Sequence, residues 1–209
     1  QDGSVGYYQT VNKTTPVAGD VKYVDRNGDG VVDDNDRDII GNPNPDFTYG
    51  FQTKVSWKSL SLSASFNGVQ GRDILNVGNR YNNTPGTKSN NVTRKAFQNM
   101  WTDENPSNLY PKSTFVVQNM VMDRYVEDGS YLRCSDITLS YVLPAKWTNK
   151  IGIKNTSVYA SVKNAFVITD YSGYDPEVNS FAFDGLRPGV DMNSYPTPRS
   201  FVFGLNLTF

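Results

Sequence analysis

The densest set of potential metal ligands lies between Asp25 and Asp36, in the run D-R-N-G-D-G-V-V-D-D-N-D. Asp25, Asn27 and Asp29 occupy positions 1, 3 and 5 of an EF-hand-like loop, and Gly30 occupies position 6, where such a loop turns sharply. Val31 at position 7 offers its carbonyl, Asp33 stands at position 9 and Asp36 at position 12. Hard oxygen donors with several negative charges suit Ca²⁺. Position 12 is Asp where a bidentate Glu is usual, and its shorter side chain implies weaker or altered coordination. The same residue types also build Asx-rich turns that hold no metal. Val21, Tyr23 and Val32 on the flanks look extended rather than helical, so an occupied site would pin a loop and would not act as a calcium switch.

Other chemistry is largely excluded by composition. The chain of 209 residues has no His, which rules out His-based triads and His-ligated metals. Its single cysteine, Cys134, permits no intrachain disulfide and reads as a small packing residue. No Gly-rich phosphate loop or G-x-S-x-G element is present, and no carboxylate spacing selects a glycosidase pair. The net charge of −1, from 20 basic and 21 acidic residues, gives no footprint for nucleic acid. The chain is expected not to be an enzyme.

The elements around the Asp-rich segment are strands. Period-2 alternation recurs at about 47–57, 59–68, 131–143, 157–169 and 200–209. In the first, Phe47, Tyr49, Phe51, Val55 and Trp57 share one face, with Thr48, Gly50, Gln52, Lys54 and Ser56 on the other. In the second, Leu60, Leu62, Ala64 and Phe66 oppose Ser61, Ser63, Ser65 and Asn67. In the third, Tyr131, Ile137, Leu139 and Tyr141 oppose Asp136, Thr138 and Ser140. The fourth sets Val158, Ala160, Val162 and Phe166 against Tyr159, Ser161 and Lys163. The fifth sets Phe201, Phe203, Leu205, Leu207 and Phe209 against Val202, Gly204, Asn206 and Thr208.

Strands of about ten residues match a tilted bilayer crossing, whereas globular strands average about 5–6. The links between them alternate between short and long. The first pair is joined by a tight turn and the third and fourth by 144–155, whereas 69–130 and 170–199 are long. Up-and-down outer-membrane barrels have this asymmetry, with short periplasmic turns and long extracellular loops. The pattern predicts an all-β chain, region 1–46 outside, strands running in, out, in, out, in across 47–209, and Trp57, Tyr141 and Phe209 at the periplasmic interface. Gln52, Lys54, Ser61, Ser63, Asp136, Ser140 and Ser161 are expected to line the lumen. Five strands cannot close a barrel and bacterial single-chain barrels are even-numbered, so further strands are expected upstream. No run approaches ~18 apolar residues and no signal peptide is legible, and neither argues against a barrel.

Several stretches occur together in a recognisable order. G-D-V-K-Y-V-D-R-N-G-D-G-V-V-D-D-N-D (Gly19–Asp36) precedes I-G-N-P-N-P-D-F-T-Y-G-F (Ile40–Phe51), F-N-G-V-Q-G (Phe66–Gly71), E-D-G-S-Y-L-R (Glu127–Arg133) and Y-V-L-P (Tyr141–Pro144). S-G-Y-D-P-E-V-N (Ser172–Asn179), Y-P-T-P-R-S-F (Tyr195–Phe201) and the terminal G-L-N-L-T-F follow. The ordered set closely resembles the C-terminal end of SusC/RagA-type TonB-dependent outer-membrane transporters of Bacteroidetes. The resemblance implies a 22-stranded barrel in the bacterial outer membrane, in contact with its lipid. It also implies an upstream plug domain, energy through the TonB complex, a SusD-like surface lipoprotein as lid, and oligosaccharide or peptide cargo. Phe209 resembles the terminal aromatic that barrel-assembly machinery recognises. The competing reading is a soluble, calcium-stabilised carbohydrate-binding β-sandwich; an extracellular glycosidase is a more distant one.

Overall fold

The computed structural model describes residues 17–84, 91–113, 121–148, 153 and 155–208. The chain separates into two compact units, one of residues 1–40 and 76–125, the other of residues 41–75 and 126–209.

The second unit is built on five long strands. These are β1 (Phe47–Trp57), β2 (Leu60–Gln70), β5 (Tyr131–Val142), β6 (Asn155–Thr169) and β8 (Ser200–Thr208). They pair antiparallel in chain order, β1-β2-β5-β6-β8, as an open meander. Lys58, at φ +53°, makes the tight β1–β2 turn and lays its ammonium over the Trp57 ring. Pro144, which lacks an amide hydrogen, closes β5 at the same end of the sheet. Both long links leave from the opposite end. A smaller sheet of β4 (Val126–Asp128), β3 (Asp73–Asn76) and β7 (Val190–Asp191) lies within those links, in the order β4-β3-β7. The fully buried Ile74 is its core.

Register turns the sequence alternation into two chemically distinct faces. Trp57, Leu60, Tyr141, Val158 and Leu205 align as one cross-strand row, and Val55, Leu62, Leu139, Ala160 and Phe203 as the next. Thr53, Ala64, Ile137, Val162 and Phe201 form a third row, and Phe51, Phe66, Cys134 and Phe166 a fourth. Nothing described packs over this face: Val55, Trp57, Phe201 and Phe203 are each more than half exposed. Leaving such a surface in water forgoes on the order of 10 kcal/mol. A β-sandwich needs a second sheet here, and among the described residues none covers it. From the first to the last of the eleven residues of β1, ten steps of about 3.3 Å reach roughly 33 Å. At a tilt of about 40° they span roughly 25 Å, the height of a barrel's apolar band.

One residue falls on the opposite face from the one its spacing predicts. Alternation groups Tyr131 with Ile137, Leu139 and Tyr141, but β5 carries a bulge at Ser135, whose hydroxyl donates to the Ser65 carbonyl at 3.1 Å. The extra residue inverts the parity beyond it. Cys134 therefore lies in the apolar row between Phe66 and Phe166, while Arg133 pairs with Asn67 and Tyr131 with Val69 on the polar face.

The first unit contains the Asp-rich loop and two short helices, α1 (Val77–Asn83) and α2 (Arg94–Asn99). Asn76 caps α1 through the Asn79 amide, and Thr93 caps α2 through the Ala96 amide. The long link expected as loop thus holds helix as well as strand.

Candidate functional site

The polar face of the meander collects all the residues expected at the lumen. Ser56, Ser61, Ser140 and Tyr159 form one row, and Lys54, Ser63, Thr138 and Ser161 the next. Gln52, Ser65, Asp136 and Lys163 form the third. Small hydroxyl side chains satisfy one another: Ser56 and Ser61 lie 2.8 Å apart, and Asp136 accepts from the Thr138 and Ser161 hydroxyls at 2.7 Å each. The one carboxylate on these rows is therefore held by hydroxyls beside its register partner Lys163. Such a surface can exchange hydrogen bonds with a polar solute.

Towards the loop end, the same face supports a buried knot. Arg133, 5% exposed, places Nη2 2.5 Å from Asp175 Oδ1, and its Nε lies 3.1 Å from Glu177 Oε2. The second contact is an ion pair without hydrogen-bond direction, because Nε has no aligned acceptor. Glu177 Oε1 accepts from the Tyr131 hydroxyl at 2.7 Å and from Asn67 Nδ2 at 2.9 Å. Asp175 also accepts from the Glu177 and Thr197 amides. Burial on its own would raise the Asp175 carboxyl, but these amides and the Arg133 guanidinium outweigh it and hold the group below the usual carboxylate range. Arg72 donates to the Pro176 carbonyl, and Glu127 accepts from both the amide and the hydroxyl of Ser172 at 2.9 Å. The segment following β6 is therefore strapped across the polar face. Sequence spacing alone gives no sign of this knot. Its only trace is that E-D-G-S-Y-L-R and S-G-Y-D-P-E-V-N, here brought together, both appear among the ordered stretches.

In the first unit, the Asp25–Asp36 loop is a web of side-chain-to-backbone bonds. Asp25 accepts from the Gly28 and Gly30 amides at 2.7 and 2.8 Å, Asn27 from Asp29, Asp29 from Val31, and Asp33 from Asn35. Asp36 reaches back to the Arg26, Asn27 and Asp33 amides. The Asp33 amide is foremost in keeping the Asp36 carboxyl below its ordinary range. Gly28 and Gly30 take φ of +74° and +84°, open to glycine at little cost. Among the described residues, no three acidic, His or Cys side chains converge as a metal ion requires. Each carboxylate oxygen engaged once retains a second lone pair. Val31 donates its amide to Asp29 Oδ1 at 2.8 Å. Phe209 and residues 1–16 lie outside the described residues.

No family model matches the chain. It is 35% identical over 201 residues to TonB-dependent receptor P26 of Formosa agariphila, covering 92% of the chain and 20% of that relative. It is 34% identical over 194 residues to TonB-dependent receptor SusC of Bacteroides thetaiotaomicron, covering 90% of the chain and 17% of the relative. Among solved structures, the RagAB peptide transporter superposes with a TM-score of 0.70 at 29% identity, over 82% of this chain and 18% of that one. The open-open state of the RagAB peptide importer gives 0.67 at 30% identity, with the same coverage. The chain thus spans about a fifth of the length of the curated relatives it matches.

Proposed function

The chain belongs to the SusC/RagA-type TonB-dependent transporters over the fifth of their length that it spans, and from that premise we propose that it forms the C-terminal barrel wall of an outer-membrane nutrient importer. The observation that carries this reading is the two-faced meander: continuous apolar rows on one side, hydroxyl and carboxylate rows on the other, with every long link at one end. The apolar face meets lipid and the polar face lines the lumen. The long links face outward, where a SusD-like lipoprotein would close over the cargo, and TonB engages a part of the protein outside this chain. Cargo is an oligosaccharide or a peptide; the RagAB relatives are peptide importers by description.

Deleting the gene tests the reading. Uptake of at least one oligosaccharide or peptide source should fall and be restored by the full-length gene. Unchanged uptake of every such source would refute import.

We also infer that Asp25, Asn27, Asp29, Val31, Asp33 and Asp36 bind Ca²⁺ as a structural ion. The ligand order supports this, and binding would draw together carboxylates that now accept from backbone amides. Calorimetry on the full-length protein should give binding heat with Ca²⁺, lost in the Asp25→Asn/Asp29→Asn double variant. No heat in the parent protein would refute it.

A further inference from the structure

Strand β5 has two ways to run past β2, and they differ in where one cation points. In the observed pairing Ser65 meets Asp136 and Phe66 meets Cys134, so Ser135 has no partner of its own. A bulge of this kind breaks the ladder locally. The Ser135 hydroxyl returns one bond, to the Ser65 carbonyl at 3.1 Å. On the other side of β5, Lys163 pairs with Asp136 and Phe166 with Cys134, which leaves Asn164 at φ +52°, an uncommon conformation outside glycine.

The regular ladder would set Ser135 against Phe66, Cys134 against Asn67 and Arg133 against Gly68. A one-residue slip turns every side chain beyond it to the other face. Tyr131 and Arg133 would then point into the apolar rows and Leu132 into the polar ones. The alternation of β5 by itself favours this ladder, since Tyr131 is in phase with Ile137, Leu139 and Tyr141. What the ladder cannot accommodate is Arg133. A guanidinium on the lipid face of a barrel is destabilising, and its departure would strip the counter-charge from Asp175, which is 3% exposed.

The bulged pairing resolves both conflicts. Arg133 reaches Asp175 and Glu177 on the polar face. Glu177 Oε1 also accepts from Asn67 on β2 and from Tyr131 on β5, so one carboxylate ties the two strands where the alternative registers diverge. The bonds of Tyr131 and Arg133 exist only with both side chains on that face. Buried ion pairs add little net stability over an apolar replacement, and fixing register is their best-attested use.

We propose that the Arg133–Asp175–Glu177 knot is a register selector: it holds β5 in the bulged pairing against β2 and excludes the regular ladder that the strand's own alternation favours. The proposal rests on the apolar face meeting lipid, and it is independent of what the importer carries.

The test reads register through cross-strand disulfides, formed with copper phenanthroline in the full-length protein reconstituted in vesicles and identified as linked peptides. Native Cys134 opposes position 66 in the bulged pairing and position 67 in the regular one, within disulfide reach across a ladder. In the parent, Phe66→Cys should link to Cys134 and Asn67→Cys should not. Exchanging two neighbours, Leu132→Arg with Arg133→Leu, brings the cation to the carboxylates only in the regular pairing. The link should then pass to position 67, with the amount of heat-modifiable barrel unchanged. Arg133→Leu with Asp175→Asn and Glu177→Gln removes the selector and should give both links; where this variant does not fold, the exchange variant decides. An exchange variant that keeps the link at position 66, forms neither link or fails to fold overturns the selector. So does a folded selector-free variant linked at position 66 alone. Failure of the lipid reading shows separately. Phe203→Cys should resist a water-soluble maleimide in the same vesicles, and its rapid labelling would remove that reading whichever link forms.

Discussion

Arg133 and Asp175 stand 42 residues apart in the chain, yet their side chains meet at 2.5 Å with no more than 5% of either exposed. This contact fixes the strap after β6 to the polar face. Two buried charges that satisfy each other make removal of one partner the informative experiment, because the survivor is left in low dielectric without a counter-charge.

Arg133→Met should destabilise the second unit by about 3–5 kcal/mol, the usual scale for breaking a buried pair from one side. Arg133→Met with Asp175→Asn should recover part of that loss. Thermal unfolding of the full-length protein in detergent measures both, and a single variant as stable as the parent would contradict the knot.

The same pair predicts an acid limit. The folded Asp175 carboxyl sits below its unfolded value of about 3.9. Its contribution is therefore complete above that value and is lost as pH falls through the lower, folded one. Stability should drop more steeply below about pH 4 in the parent than in Asp175→Asn. Parallel slopes in unfolding scans from pH 6 to pH 2 would remove Asp175 as the cause.

Cys134 has no exposed surface and lies in register between Phe66 and Phe166. A maleimide reagent should leave it unlabelled in the folded protein and label it after boiling in detergent. Rapid labelling of the native state would mean that the bulge at Ser135 does not turn this residue into the apolar row.

Gly204 faces the Tyr159 ring across the β6–β8 pair, so a Cβ there would strike the ring. Gly204→Ala should cost about 1–3 kcal/mol by overpacking, and Tyr159→Ser in the same chain should relieve most of it. Thermal midpoints of the three variants decide this, and equal effects with and without Tyr159 would refute the contact.

Much of the wall was legible because alternation depends only on local spacing. Phe47–Trp57 forms a strand over the expected span, and Leu60–Gln70 extends two residues further. Tyr131 was misplaced because a bulge changes parity without changing composition. The knot was hidden for a different reason. Arg133, Asp175 and Glu177 are joined by folding of a long link, and neither period nor spacing encodes a contact across 42 residues. The Asp25–Asp36 loop was visible as a ligand pattern, whereas the backbone amides its carboxylates accept were not.

The central claim is that one face of the meander meets lipid and the other the lumen. Spin labels at Leu62, Leu139 and Phe203, compared with Ser63, Ser140 and Thr138, test it directly in the full-length protein reconstituted in vesicles. The first three should collide with membrane-dissolved oxygen and be shielded from a water-soluble nickel chelate, and the second three should show the reverse. Equal accessibility at the two sets, or the opposite order, would contradict the account.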